Sequence, residues 1–399
     1  MPPSAENGAL QYPFAGVAEG ERAMTAQRRR FLKMLAAGAA GTAVAGCAPE
    51  PSNGGRVAPE PGAGKPGQRY RWRLVTAWPP GLPGFGTTAV MLADMLREAS
   101  GGRLSVQVYA AGELVPAFEV FDAVSRGSVE MGHSAPAYWK GQAPATQLFT
   151  GFPFGMLPAE FNAWLAYGGG MELWRECYEP YGLVPFPGGN TGTQMGGWFR
   201  REIRSMEDFS GLKIRMPGLG GDVLRRLGAT VVNLSGGELF TALQTGVIDA
   251  TEWASPYNDL PLGLYQAAPY YYYPGWHEPA GAIEVIVNRE ALESLPADLQ
   301  ALIRTACMAV NHQMLSEFMA RNVQALDILV NRHGVELRRF PDEVLEGLRR
   351  ASGNTLDGLA AGNPLAARIL KSYREFQQGV SGWQAISEGS YLSARDSRR

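Results

Sequence analysis

The chain is poor in the residues that anchor most redox and cofactor chemistry. Its 399 residues include three cysteines, Cys47, Cys177 and Cys307, with no CxxC spacing. That excludes zinc frameworks and disulfide-stapled scaffolds. The four histidines, His133, His277, His312 and His333, show neither HxxxH nor facial-triad spacing. No GxSxG elbow occurs, and Gly168-Gly169-Gly170 precedes neither a P-loop lysine nor a dinucleotide fingerprint. Long apolar runs are missing as well: nowhere do 18 apolar residues follow one another, so no membrane-spanning helix is expected. Nor is there an excess of charge of one sign. The 36 basic residues nearly balance the 38 acidic ones, and a nucleic-acid partner, which calls for a basic excess, is not expected.

What is present is material for a large core. Hydrophobic residues make up 45% of the chain and charged ones 19%, a balance that excludes global disorder. Fifty glycines and 28 prolines make it turn-rich. The length suits two domains or one large two-lobed unit.

The N-terminus reads as an address. Gln27 to Lys33 is QRRRFLK, and a short apolar run from Met34 to Gly46 follows it. A basic head with a short apolar body is the plan of an export signal, and the arginine doublet with Phe31-Leu32-Lys33 is that of the twin-arginine type. Val44-Ala45-Gly46-Cys47 resembles a lipobox, whose cysteine would carry a lipid; alternatively, Cys47 leaves with the cleaved signal. Translation could begin at Met1 or at Met24. Residues 1–47 are therefore expected to be signal, and 48–69, rich in Pro and Gly, a flexible linker.

From Tyr70 onward, strand and helix patterns alternate. Trp72, Leu74 and Thr76 suggest a strand, and Ala89, Leu92, Ala93 and Leu96 fall at helical spacing. Leu104, Val106 and Val108 alternate with polar residues, and Val129 to Ser134 reads as a further strand. This grammar predicts a parallel sheet covered by helices. It recurs in the second half: Leu212 to Met216 is a strand, Asp222 can cap a helix, and Thr230 to Leu234 is another strand. Ser235 and Glu238 form a capping box, and Val247 to Ala250 is again a strand. Between Pro296 and Gly334 there is neither Pro nor Gly, so one helix of roughly 50 Å is expected to brace both halves. A break near Asn311-His312 stays open. The expected architecture is α/β, two lobes bridged by a long helix: lobe I over 70–190 and lobe II over 191–275. Residues 276–334 return to lobe I and form the bridge, and 335–399 form a C-terminal helical segment.

Ligands of such sheets bind beyond the carboxyl ends of the strands. Glu252 and Trp253 follow one predicted strand, Arg215 ends another, and Asn190 and Gln194 lie in the Gly-rich segment between the halves. A guanidinium fork takes both oxygens of a carboxylate, and Glu and Gln oxygens suit a hard cation. Each residue also has an ordinary reading: Arg215 as a solvated strand residue, Glu252 as a helix N-terminal charge, Gln194 facing solvent. Trp198, Trp253 and the run Tyr270 to Tyr273 would, singly, be core. Cys177 and Cys307 read as buried thiols, and His312 and His333 as surface residues.

The segments FPGGNTGTQMGGWFRREI, GLKIRMPG, GVIDATEWASPYND and APYYYYPGW, with AAGELVP upstream, resemble the solute-binding proteins of TRAP transporters, in the branch that takes 2-oxo or 2-hydroxy monocarboxylates such as pyruvate or lactate. The resemblance implies a type II-like periplasmic binding protein that closes on an organic acid and delivers it to the small and large membrane subunits. It implies that Arg215 pairs with the acid's carboxylate. Gln194, Glu252 and the Trp253 carbonyl would hold Na⁺ or Ca²⁺, and Asn190 and Tyr138 would complete the pocket. A homodimer through the C-terminal helices also follows from it. Ala137 departs from a more aromatic pattern in relatives, and the preferred side chain of the acid is left open. The rival readings are an exported metal-dependent enzyme acting on an organic acid, which lacks any evident base or nucleophile here, and the ligand domain of a signalling system.

Overall fold

The structure, a computed structural model, describes residues 68–397. The expected export signal, Cys47 and nearly all of the linker lie outside the described residues. The strands described up to the middle of the chain are β1 (Tyr70–Thr76), β2 (Leu104–Tyr109), β3 (Met131–Ser134), β4 (Leu183–Asn190), β5 (Gly197–Phe199) and β6 (Lys213–Arg215). They are followed by β7 (Thr230–Val232), β8 (Ala250–Thr251), β9 (Tyr270–Tyr273), β10 (Ala282–Asn288) and β11 (Glu336–Arg339). Two sheets result, with orders β2-β1-β3-β10-β4 and β11-β9-β5-β8-β6-β7.

In the first sheet, alternation along β1 sends Trp72 and Leu74 to one core and Val75 to another. The helix Phe85–Ala99 covers the first of these with Ala89, Leu92 and Leu96, all buried as their spacing predicts. The expectation of a purely parallel sheet is corrected here. Strands β1, β2 and β3 run parallel, but β10 is antiparallel to both β3 and β4. The physical reason is its route. β10 arrives from the other sheet and not through a right-handed helical crossover, so nothing requires it to run with its neighbours. In the second sheet β6 is parallel to β7 and β8, whereas β5 opposes β8 and β9.

The chain passes between the sheets repeatedly. It leaves the first after β4, returns at β10, and crosses again through the helix Ala297–Asp327. That helix is unbroken at Asn311-His312 and, at 1.5 Å per residue, about 46 Å long. Ile303, Ala306, Cys307 and Val310 pack behind the first sheet, while Phe318 meets Tyr257 and Phe85. Tyr257 Oη donates to Glu317 at 2.8 Å, and Asn322 Oδ1 accepts from the Tyr257 N–H at 2.9 Å. The helix ends earlier than Gly334, in a π-helical turn over Ile328–Arg332. Val323, on the last turns of this helix, is exposed.

The segment 335–399 is not simply helical. It opens with β11, which pairs with β9 in the second sheet. Its helix Asp342–Gly362 then buries Val344 and Leu348 behind that sheet. The helix Pro364–Ile386 goes back to the first half, where Tyr373 stacks on Phe152 and Arg368 pairs with Glu176. Asp222 is also not a cap. Its helix begins at Gly218, directly after an extended Pro217, so Asp222 lies one turn inside it. The Asp222 carboxylate accepts instead from Lys140 Nζ at 2.7 Å. The Ser235–Glu238 pair does form, Glu238 accepting from both the backbone N–H and the hydroxyl of Ser235. Cys177 and Cys307 are free and buried, and His312 and His333 are exposed.

Candidate functional site

Between the two sheets lies a narrow cavity of about 20 Å³. One side is built from the first half: Trp78 just past β1, Ala135, Ala137 and Tyr138 just past β3, and Ile283 on β10. The other side is built from the second half: Arg215 at the end of β6, and Glu252 and Trp253 immediately past β8. The two crossovers supply Gln194 and Glu278. The carboxyl ends of β3, β6 and β8 and the crossover after β4 thus bring together the residues that the sequence singles out, with one exception.

The exception is Asn190. It is buried but does not line the cavity. Its Nδ2 donates to the Ala280 carbonyl at 2.8 Å, and its Oδ1 accepts from the Gly192 N–H at 2.8 Å. Both ends of the amide are spent on tying the outgoing crossover to the returning one. Thr191 N–H to Gly281 O (3.0 Å) and Gln194 N–H to Glu278 O (3.3 Å) tie them further.

Arg215 is 1% exposed, so it is no solvated strand residue. Its Nη1 donates to Glu252 Oε1 at 2.5 Å and to the Glu252 carbonyl at 2.8 Å. Its Nε donates to Leu234 O at 3.2 Å, which leaves Nη2, 3.4 Å from Tyr138 Oη, as the edge facing the opposite wall. The guanidinium also lies 5.1 Å from the centre of the Trp253 ring, a cation–π contact that helps a buried cation. Tyr138 is held neutral, burial pushing its hydroxyl up to about 12. The Trp253 indole donates to Asn258 Oδ1, and Asn258 Nδ2 donates to the Pro83 carbonyl of the first half at 2.5 Å. Trp78, Phe85 and Trp253 pack together, the first two stacked at 4.4 Å and the last two edge-to-face at 5.8 Å.

Two groups here escaped the sequence reading. His277 Nε2 lies 3.2 Å from Glu252 Oε2. Burial, the largest effect on this imidazole, favours its neutral form. The hydrogen bond and charge of Glu252, with help from Glu278, outweigh it and raise its pKa. Glu278 accepts from Gln194 Nε2 at 2.8 Å, and its carboxyl is pushed up to about 7, first by burial and then by the charge of Glu252. The only sequence signal for either was position, on the segment returning to the first sheet just after the tyrosine run.

Gln194 Oε1 and His277 Nδ1 are buried without a hydrogen-bond partner. An orphaned amide oxygen beside two carboxylates fits a hard cation, which takes oxygen ligands from Glu and Gln side chains. Among the described residues no cluster of three or more His, Cys, Asp and Glu could hold a metal, so a cation here would draw on amide and carbonyl oxygens as well as carboxylates.

Two α/β halves closing on a buried arginine and an oxygen-rich corner define a two-lobed solute-binding protein of the periplasmic type. The model of bacterial extracellular solute-binding proteins, family 7 (DctP), matches residues 74–362, and the chain belongs to that family, the solute-binding proteins of TRAP transporters. It is 39% identical to a monocarboxylate 2-oxoacid-binding periplasmic protein of Nostoc sp. over 365 residues, 92% of this chain and 98% of that one. A TRAP periplasmic solute-binding protein of Pseudoalteromonas atlantica, solved with bound sodium and pyruvate, is 44% identical and superposes with a TM-score of 0.80, covering 82% of this chain and 99% of its own. One from Colwellia psychrerythraea, solved with bound calcium and pyruvate, is 43% identical with a TM-score of 0.80, covering 82% and 100%.

Proposed function

We propose that this protein captures a small 2-oxo or 2-hydroxy monocarboxylate together with Na⁺ or Ca²⁺, and hands it to the small and large membrane subunits of a TRAP transporter for ion-gradient-driven uptake. The observation that carries this reading is the charge content of the cavity. Arg215 is already paired with Glu252, and Glu278 adds a second carboxyl group. His277, 3.2 Å from Glu252, can carry part of the balancing positive charge, and a cation at the partnerless Gln194 oxygen would add the charge that draws a carboxylate in among these acids.

The cation would supply that charge and draw the oxygens of the acid and of the protein to one point. Gln194 Oε1, the Glu252 and Glu278 carboxylates and the Trp253 carbonyl are the groups to hold it. Arg215 would present Nη2 to the acid's carboxylate, with the Tyr138 hydroxyl beside it. Asn190 would act by fixing the crossover that carries Gln194. Ala135, Ala137, Trp78 and Ile283 would exclude water around the acid's side chain. Because the walls come from both halves, the contacts exist together only when the lobes are shut, and differential contact of this kind is what allows a ligand to drive closure. A Kd near 1 μM corresponds to about −8 kcal/mol, within reach of a charge-assisted pair and a coordinated cation. Capture without turnover is the reading preferred over an enzyme, because the relatives that the chain matches are solute-binding proteins.

Lobe I is taken as 70–190 and lobe II as 191–275, with 276–334 as return and bridge. The family is extracellular; export to the periplasm by the twin-arginine route and a lipid on Cys47 are part of the proposal. So is a homodimer through the C-terminal helices, on which Trp383, Ile386 and Tyr391 are exposed.

Titration calorimetry with pyruvate and lactate, in calcium, in sodium, and in sodium with a divalent chelator, tests this reading. Micromolar binding that needs one of the two ions is expected, and the chelator arm separates calcium from sodium. Absence of binding for a panel of such acids with either ion, or turnover of a bound acid, would refute it.

A further inference from the structure

Behind each wall of the cavity sits a buried acid with no ion-pair partner among the described residues. Glu284, on β10, is fully buried. Its Oε1 accepts from the Trp139 indole at 2.6 Å and the Ser134 hydroxyl at 2.9 Å, and its Oε2 from the Tyr178 hydroxyl at 2.6 Å. Asp259, in the other half, is 1% exposed. Its Oδ2 accepts from the Trp198 indole at 2.9 Å and the Tyr271 hydroxyl at 2.7 Å, and its Oδ1 from the Ala254 N–H at 3.1 Å. The pattern is the same in both lobes: one oxygen takes an indole N–H and a hydroxyl, the other a single donor.

The donors are placed where they matter to the cavity. Ser134 and Trp139 flank 135–138, the segment that gives the cavity Ala135, Ala137 and Tyr138. Ala254 directly follows Glu252 and Trp253, and Trp198 and Tyr271 are stacked partners on β5 and β9 at 3.9 Å. Neither acid lines the cavity. A buried carboxylate without a cation is costly, and packing alone would be served as well by an apolar side chain. An anionic acceptor instead gives hydrogen bonds roughly twice as strong as a neutral one, at fixed geometry. Burial pushes both carboxyls up to about 7, a cost consistent with a positioning role near a functional site.

We propose that Glu284 and Asp259 are matched positioning residues, each anchoring one wall of the ligand cavity from behind, so that affinity depends on both although neither touches the ligand. The effect on affinity rests on the ligand reading above; the anchoring does not. An amide at either position puts an N–H group among donors and leaves one of them without an acceptor.

The test uses the full chain with Glu284→Gln, Asp259→Asn and, as a control, Tyr373→Phe, which removes the acceptor for the Met156 N–H away from the cavity. Hydrogen exchange without ligand is read by mass spectrometry. Glu284→Gln should speed exchange of 135–139 by about 10-fold, a ~1.4 kcal/mol loss of local protection, and leave 252–254 unchanged; Asp259→Asn should do the reverse. Calorimetry with pyruvate and calcium should then show both variants binding at least about 10-fold more weakly, and the control within about twofold of native. Uniform exchange changes in both variants, or native-like exchange in both segments, would overturn the anchoring. Weak binding of pyruvate by the native protein would count against the ligand and leave the exchange result standing. Should an acid variant fail to fold, Tyr178→Phe and Tyr271→Phe remove one donor each, and the same segment-specific exchange must appear or the proposal fails.

Discussion

Arg215 Nη1 and Glu252 Oε1 stand 2.5 Å apart, with both side chains withdrawn from solvent at 1% and 2% exposure. The pair is therefore a fixed part of the cavity, and either partner alone would be a buried unpaired charge.

Replacing Arg215 with Lys keeps the charge but loses the planar fork that reaches Glu252, Leu234 O and Tyr138 at once. Affinity for pyruvate should fall about 100-fold, ~2.7 kcal/mol, by calorimetry. Near-native affinity would remove Arg215 from the carboxylate role.

Glu252→Gln leaves the guanidinium buried without its anion and removes a negative ligand from the proposed cation. Stability should drop by about 3 kcal/mol in urea, and calcium and acid binding should weaken together. Acid binding preserved at native strength with calcium binding lost would contradict a shared site.

Gly275→Ala tests the crossover. A Cβ there would stand 2.2 Å from the Gln194 carbonyl oxygen and 2.4 Å from its carbon, and backbone cannot swing aside as a side-chain tip can. A loss of about 1–3 kcal/mol in stability is expected, with weaker calcium binding because Gln194 moves. A variant as stable as native, with native calcium affinity, would show that this contact is relieved without cost.

His133 sets a pH dependence. The Trp78 indole donates to its Nδ1 at 2.7 Å, so that nitrogen is bare and Nε2 carries the proton toward Gly188 O at 3.1 Å. Burial pushes its pKa down to about 4 from 6.5. Between these values the unfolded chain binds a proton that the folded one refuses, so stability is intact above about pH 6.5 and falls as the pH drops toward 4. Scanning calorimetry from pH 7.5 to 4.5 should show a steeper decline for native protein than for His133→Gln. Parallel curves would exclude this imidazole as the cause.

Much of this was legible in the residues. Ala89, Leu92, Ala93 and Leu96 declared a helix face, and Leu104-Ser105-Val106-Gln107-Val108 a strand, because burial on one side imposes a period. Arg215, Glu252 and Trp253 were singled out at strand ends, where sheet geometry concentrates ligands, and Gln194 in the Gly-rich segment between the halves; the fold brings all four to one cavity. Periodicity carries no information on which distant strands become neighbours, and so the antiparallel β10 and the late β11 were missed. Glu278 and His277 sit on an irregular return segment with no period at all. Asn190 looked like a pocket residue by its position, yet its amide is satisfied by two backbone groups that only the fold brings near.

The insertion of β10 between β3 and β4 has a consequence for biosynthesis. When residue 190 leaves the ribosome, β4 has no adjacent strand, and the sheet stays open until residues 282–288 appear. A nascent or truncated chain ending before that point would expose two unsatisfied strand edges, the kind of template on which polypeptides self-associate. Neither lobe can be cut out as one contiguous fragment, and assembly must wait for most of the message to be read.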